Sequence, residues 1–192
     1  MTIGILREIQ EQRVSIVPDT LKKSKLEGIN YLFEKDLGVE AFYDNDQYAT
    51  YGTVTSRSEV LAQSDVIICI NPPTDEELAS LKSGTTVIGM FQSYNDDTVV
   101  PKLEKLPINV FGLDMIPRTS LAQSMDVLFS MASIAGYKAV LVAADHLPRY
   151  FPMMITAAGS IRPAKVVVLG AGVAGLQAIA TAKRLGAMVE AS

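Results

Sequence analysis

One cysteine and one histidine in 192 residues narrow the available chemistry before any motif is considered. With Cys69 alone, no disulfide framework can form inside the chain, which fits a reducing compartment. Cys69 lies in an apolar, strand-like run and reads as an inert core thiol. His146 has no neighbours in sequence with which to build a metal site or a catalytic triad. It reads instead as a helix-end histidine settled near the C-terminal dipole. Basic charge is also in short supply: 17 Lys and Arg stand against 21 Asp and Glu, a net charge of −4. A nucleic-acid partner, which calls for a basic face, is disfavoured. The opening Met1-Thr2-Ile3-Gly4-Ile5-Leu6-Arg7-Glu8 meets charge too early for an export signal. The longest nearly apolar stretch, Met131 to Ala144, is broken by Lys138 and falls short of the ~20 residues of a membrane helix, so no span is expected. What is present is 48% hydrophobic and 20% charged, the balance of a folded domain rather than a disordered chain.

Short β-rich runs alternate with helical segments. Strands are predicted at Ile3–Leu6, Ile29–Phe33, Asp65–Ile70, Thr85–Met90 and Asn109–Leu113. The middle runs are continuously apolar, as in strands buried on both faces. A helix is predicted from Pro18, a residue suited to the first helical position, to near Gly28, and another over Ser58–Gln63. Thr74-Asp75-Glu76-Glu77 fits a capping box opening a helix that ends before Gly84. This alternation predicts a doubly wound, flavodoxin- or Rossmann-like parallel α/β domain over residues 1–125. From Leu121 to His146 the composition becomes Ala-, Met-, Leu- and Val-rich, which predicts one long helix, or two end to end, bridging two domains. Pro148, Pro152, Gly159 and Pro163 then mark a linker, so residues 126–163 are expected to connect.

The strongest local signal follows. Lys165-Val166-Val167-Val168-Leu169 reads as a strand, and Gly170-Ala171-Gly172-Val173-Ala174-Gly175 matches GxGxxG. A helix over Leu176–Leu185, a C-cap at Gly186 and a strand from Ala187 complete the strand–turn–helix context that makes this motif informative. Gly170 would permit the tight turn, Gly172 the approach of a pyrophosphate, and Gly175 close packing of helix on strand. Ala171, Val173 and Ala174 complete the loop, and the helix N-terminus offers amides and a positive dipole end to phosphates. The alternative is a glycine-rich turn that binds nothing. On the nucleotide-binding reading, residues 164–192 are expected to be a partial, truncated Rossmann NAD-binding domain. The fingerprint's ribose-binding acid is expected immediately after Ser192, with Glu190 a mid-strand and weaker candidate. Such a β-α-β piece would leave strand edges and an apolar helix face bare, to be packed on a second copy or left mobile.

Asp114-Met115-Ile116-Pro117-Arg118-Thr119-Ser120-Leu121-Ala122-Gln123-Ser124-Met125-Asp126, continuing to Ala135-Gly136-Tyr137-Lys138-Ala139, is the most specific stretch. Together with Thr156-Ala157-Ala158-Gly159 before the fingerprint, and with Arg7-Glu8, Arg13-Val14 and Pro18, it resembles the NAD(H)-binding alpha subunits of proton-translocating NAD(P) transhydrogenases, relatives of alanine dehydrogenases. The resemblance covers the whole chain. It implies that Arg118, Gln123 and Asp126 form a loop beside the nicotinamide. It also implies hydride transfer from NADH held here to NADP+ on a partner subunit, coupled to proton movement through a membrane-embedded subunit. A homodimer, and a cytoplasmic position peripheral to the inner membrane, follow from the same resemblance. Two other readings stand beside it: an alanine or amino-acid dehydrogenase, and a non-catalytic dimerisation fragment that binds no nucleotide. Alanine dehydrogenases use a Lys and a His in the first domain, and neither occurs around Cys69–Pro73 or Met90–Tyr94, which disfavours amino-acid oxidation. Phe129 departs from the small hydroxyl residue usual in the transhydrogenase family. Arg13 is read as either a small-anion contact or a salt bridge, and Asp96-Asp97 as solvated turn charges.

Overall fold

The computed structural model describes residues 1–9, 11–24, 26–117 and 119–192. Contacts divide the chain into two units, Met1–Ile116 and Pro117–Ser192. In the first unit, strands β1 (Thr2–Ile5), β2 (Asn30–Glu34), β3 (Thr53–Thr55), β4 (Val66–Ile68), β5 (Thr86–Gly89) and β6 (Asn109–Gly112) form one sheet in the order β3-β2-β1-β4-β5-β6. Every pairing is parallel. This is the doubly wound order, with its reversal of direction between β1 and β4. Helices α1 (Pro18–Lys23), α2 (Asn45–Ala49), α3 (Arg57–Gln63), α4 (Asp75–Ser80) and α5 (Val99–Leu103) make the connections.

Alternation of side chains along the strands feeds two cores, one on each face of the sheet. Ile67, Cys69 and Val87 join Leu6, Val60, Leu61, Leu78 and Leu81 on one side. Ile3, Ile5 and Phe33 join Leu21, Leu37 and Tyr48 on the other, with Val66 and Ile68 against them. Burial on both faces is why these runs read as continuously apolar. The helices are short, and three of the five start on side-chain caps. Ser56 and Thr74 each accept from the amide three residues on, and Glu59 and Glu77 reach back to complete two capping boxes. Asp44 with Gln47 makes a third, opening α2 in a stretch to which the sequence assigned no element.

The second unit contains α6 (Val127–His146), the antiparallel pair β7 (Met154–Thr156) and β8 (Gly159–Ile161), then β9 (Lys165–Val168), α7 (Val173–Arg184) and β10 (Met188–Ala191), with β9 and β10 parallel. Three expectations change here. The division falls between Ile116 and Pro117 rather than near 125 and 163, because α6 packs on α7 within one unit instead of bridging two. The linker contains a hairpin, with the Thr156 hydroxyl donating to the Gly159 carbonyl at 3.0 Å across its turn. The apolar face of the fingerprint helix is covered in part from inside the unit, with Leu176 left exposed. Val140, Phe151, Ala164 and Ala182 form its core, flanked by Ala178, Leu185 and Val189. The 20 residues of α6 are long and apolar enough to match a membrane span by length and composition, so the shortness of Met131–Ala144 is no argument against one. In this fold α6 spends its buried positions, Gly136 and Val140, on packing inside the unit.

Candidate functional site

The glycine loop leaves β9 and turns into α7. Gly170 has φ +97°, a left-handed conformation that an L side chain rarely takes. At Gly175 a Cβ would run into the carbonyl oxygen of Gly170 and lie 3.6 Å from Val168 Cγ1, so helix and strand approach to backbone distance. Gly172 differs from both. It caps α7 at φ −74°, and a Cβ built on it meets no atom within 4 Å. The fold does not require glycine there. Open space in front of the backbone is what a ligand's close approach requires. The first bond of the helix runs from the Leu176 amide to the Gly172 carbonyl at 2.8 Å. The amides of Val173, Ala174 and Gly175 precede it and have no partner within the helix.

A cleft of about 620 Å³ lies over this loop, entirely within the second unit. One wall is Leu169, Gly170 and Gly172–Gly175, and the other carries Thr119, Ser120, Gln123, Asp126, Leu128, Phe129 and Ala132. Gln123 and Asp126 are thus brought together with five of the six fingerprint residues. Ala171 is exposed and does not line the cleft. Arg118 lies outside the described residues. Gln123 sits in a 3-10 turn, Ala122–Met125, whose amide at Gln123 donates to the Thr119 carbonyl at 3.0 Å. Asp126 is the N-cap of α6. Its Oδ1 accepts from the amides of Leu128 and Phe129 at 2.9 and 3.1 Å. Phe129, the departure noted in the sequence, forms part of the wall.

The first unit has its own polar cluster at the carboxyl ends of β1 and β4, where the strand order reverses. Glu8, 7% exposed, accepts from the amides of Ile70 and Asn71 at 2.6 and 3.1 Å and from Asn71 Nδ2 at 3.0 Å. Arg57 donates to both oxygens of Glu77 at 2.6 and 3.1 Å, to Glu34 at 2.8 Å and to the Arg7 carbonyl at 3.1 Å. The Arg57 guanidinium holds the Glu77 carboxyl below the usual carboxylate range. Further along the same edge, Asp114 accepts from the amides of Phe91 and Gln92 at 3.2 and 2.8 Å. These are the two loops in which the sequence lacks Lys and His, and a carboxylate of the chain itself holds the backbone of each. Glu8 and Asp114 entered the sequence reading only through the resemblance, and Arg57 not at all, because their partners lie 20 to 63 residues away. Arg13 pairs with Glu11, its Nε donating at 2.8 Å, which is the salt bridge among its two readings. His146 Nδ1 lies 2.9 Å from the Val142 carbonyl at the end of α6. Burial pushes the Cys69 thiol up to about 12. Among the described residues no group of three or more His, Cys, Asp or Glu is placed to hold a metal.

A parallel sheet in doubly wound order, followed by a strand, a glycine loop and a helix, defines a Rossmann-type α/β protein of two units. Residues 4–135 match the alanine dehydrogenase/PNT N-terminal domain and residues 139–192 the alanine dehydrogenase/PNT C-terminal domain, and the chain belongs to this family. It is 41% identical over 193 residues to the NAD(P) transhydrogenase subunit alpha of Haemophilus influenzae, covering 100% of this chain and 38% of that protein. A crystal structure of transhydrogenase from Sinorhizobium meliloti superposes with a TM-score of 0.93 at 37% identity, over 100% of this chain and 58% of that one. An L-alanine dehydrogenase structure shares the fold, with a TM-score of 0.83 at 22% identity over 100% of this chain and 54% of the other. The chain therefore spans well under two thirds of the relatives it matches.

Proposed function

We propose that this chain supplies the NAD(H)-binding part of an NAD(P) transhydrogenase, in which hydride passes from NADH held here to NADP+ held by a partner subunit. The observation that carries the reading is Gly172, which faces open space inside the cleft although nothing in the fold excludes a side chain there. The residues present fit a dinucleotide. The amides of Val173, Ala174 and Gly175 and the positive end of α7 would meet a pyrophosphate. Gln123 has both a donor and an acceptor with which to orient a carboxamide from the opposite wall. Asp126 fixes the start of α6, and by resemblance Arg118 would pair with it and balance charge near the ring. The bound nucleotide supplies the hydride, so the protein needs no general acid or base and contributes placement and exclusion of water.

A homodimer, membrane-embedded and NADP(H)-binding partner subunits, coupling to proton translocation and a position peripheral to the membrane belong to the same proposal. The relatives' name, subunit alpha of an NAD(P) transhydrogenase, supports a partner subunit, and the rest follows from the resemblance. The Glu8 and Asp114 carboxylates occupy the backbone of the two loops where an alanine dehydrogenase would place its Lys and His, which favours hydride transfer between nucleotides over amino-acid oxidation. Calorimetry with NADH on this chain tests the reading. Micromolar binding is expected, with no oxidation of alanine in the presence of NAD+. Gly172→Val should abolish binding and leave the thermal midpoint unchanged, because the new side chain meets no protein atom within 4 Å at its Cβ. Equal affinity in wild type and variant would refute the assignment of this loop to the nucleotide.

A further inference from the structure

We infer that Gly136, in the middle of α6, is a positioning residue that sets the width of the nucleotide cleft; the inference rests on the reading of that cleft given above. Gly136 is buried and does not line the cleft. A Cβ on it would run into the carbonyl oxygen of Ala174 and lie 2.8 and 3.0 Å from the carbonyl carbon and Cα of the same residue. All three atoms are backbone, so no rotamer change can relieve the contact. Ala174 belongs to the first turn of α7 and to the cleft wall.

That first turn has no slack on its other side. Gly175 is already pressed on the carbonyl of Gly170. The glycine loop is thus held between the end of β9 and the middle of α6. One turn before Gly136, about 6 Å along the helix axis, Ala132 forms the facing wall, and the N-cap of the same helix is Asp126. Two rigid helices meeting at a glycine fix the gap between the Gln123–Asp126 wall and the glycine loop. A methyl at 136 must push α6 off α7 by more than about 1 Å to restore normal van der Waals separation. Displacements of that size between a binding group and its ligand cost an order of magnitude or more.

Helix propensity alone predicts the opposite sign, since Ala favours a helix over Gly. Gly136→Ala in the 192-residue chain is expected to raise the NADH Kd by about tenfold or more, and a crystal structure of the variant to show a wider cleft. Val140→Ala removes packing from the same helix pair without touching the gap. It should lower the thermal midpoint and leave the Kd within about twofold. Should Gly136→Ala fail to fold, Ala178→Val wedges the pair more gently from the α7 side, and the same loss of affinity is expected. An unchanged Kd in the variant that folds, or an equal loss of affinity in Val140→Ala, overturns the inference. If the wild-type chain binds no NADH, the nucleotide reading fails, and the crystallographic width decides the role of Gly136 by itself.

Discussion

The carboxylate of Asp126 accepts from two amides of the first turn of α6, and in doing so it starts the helix. The sequence reading placed Asp126 within a helical stretch from Leu121 to His146 and, by resemblance, in the loop beside the nicotinamide, and gave it no part in starting the helix. A capping aspartate at the edge of an apolar run is hard to distinguish from a helical one when no proline or glycine marks the start. The two roles separate by substitution. Asp126→Ala removes the cap and should cost about 1 kcal/mol in urea unfolding of the second unit. Asp126→Asn keeps an accepting oxygen and should cost less than half of that. Equal losses in the two variants would mean that the charge, not the cap, stabilises this helix start. The glycine loop was legible residue by residue, because Gly170 and Gly175 answer local demands of turn and packing and Gly172 leaves its backbone facing open space. Gly136 was not. Its demand comes from Ala174, 38 residues further on in the sequence.

At the scale of elements, the five early strands and the Thr74 capping box were readable because their signals are local: apolar runs for strands buried on both faces, and a hydroxyl three residues before a glutamate. The short β3 and α2 and the β7–β8 hairpin were not, since three to five residues carry no usable period. What joins the elements was also invisible. Arg57, at the first position of α3, ties together Glu34 at the end of β2, Glu77 in the first turn of α4 and the Arg7 carbonyl after β1. Its side chain is 22% exposed, so solvent weakens the pairs without cancelling them. Arg57→Met leaves two carboxylates facing each other and should cost the first unit about 2 kcal/mol at neutral pH. The pH dependence has a definite sign. Glu77 is held below its ordinary value of 4.5, first by the Arg57 hydrogen bond, so its contribution is fully present above that value. It is lost as pH falls through the lower folded value. The urea midpoints of wild type and Arg57→Met should therefore converge at acid pH. A gap as wide at pH ~3 as at pH ~7 would sink the ionic explanation.

At the scale of the whole molecule, each unit has its own core, and Cys69 is a built-in reporter for one of them. The thiol is 2% exposed in the first unit, and burial lifts it to about 12, so at neutral pH it is neither accessible nor ionised while that unit is folded. The cleft lies wholly in the second unit. A ligand that binds only folded protein stabilises the part that forms its site, by about 2.7 kcal/mol at a hundred times its Kd. NADH at that concentration should slow hydrogen exchange in peptides from β9 and α7. It should leave the urea dependence of Cys69 labelling by a thiol reagent where it was. If instead NADH protects Cys69 as strongly as it protects α7, the two cores unfold as one cooperative body. Nucleotide binding would then be coupled through the entire chain, and the first unit would be energetically part of the site although none of its described residues lines the cleft.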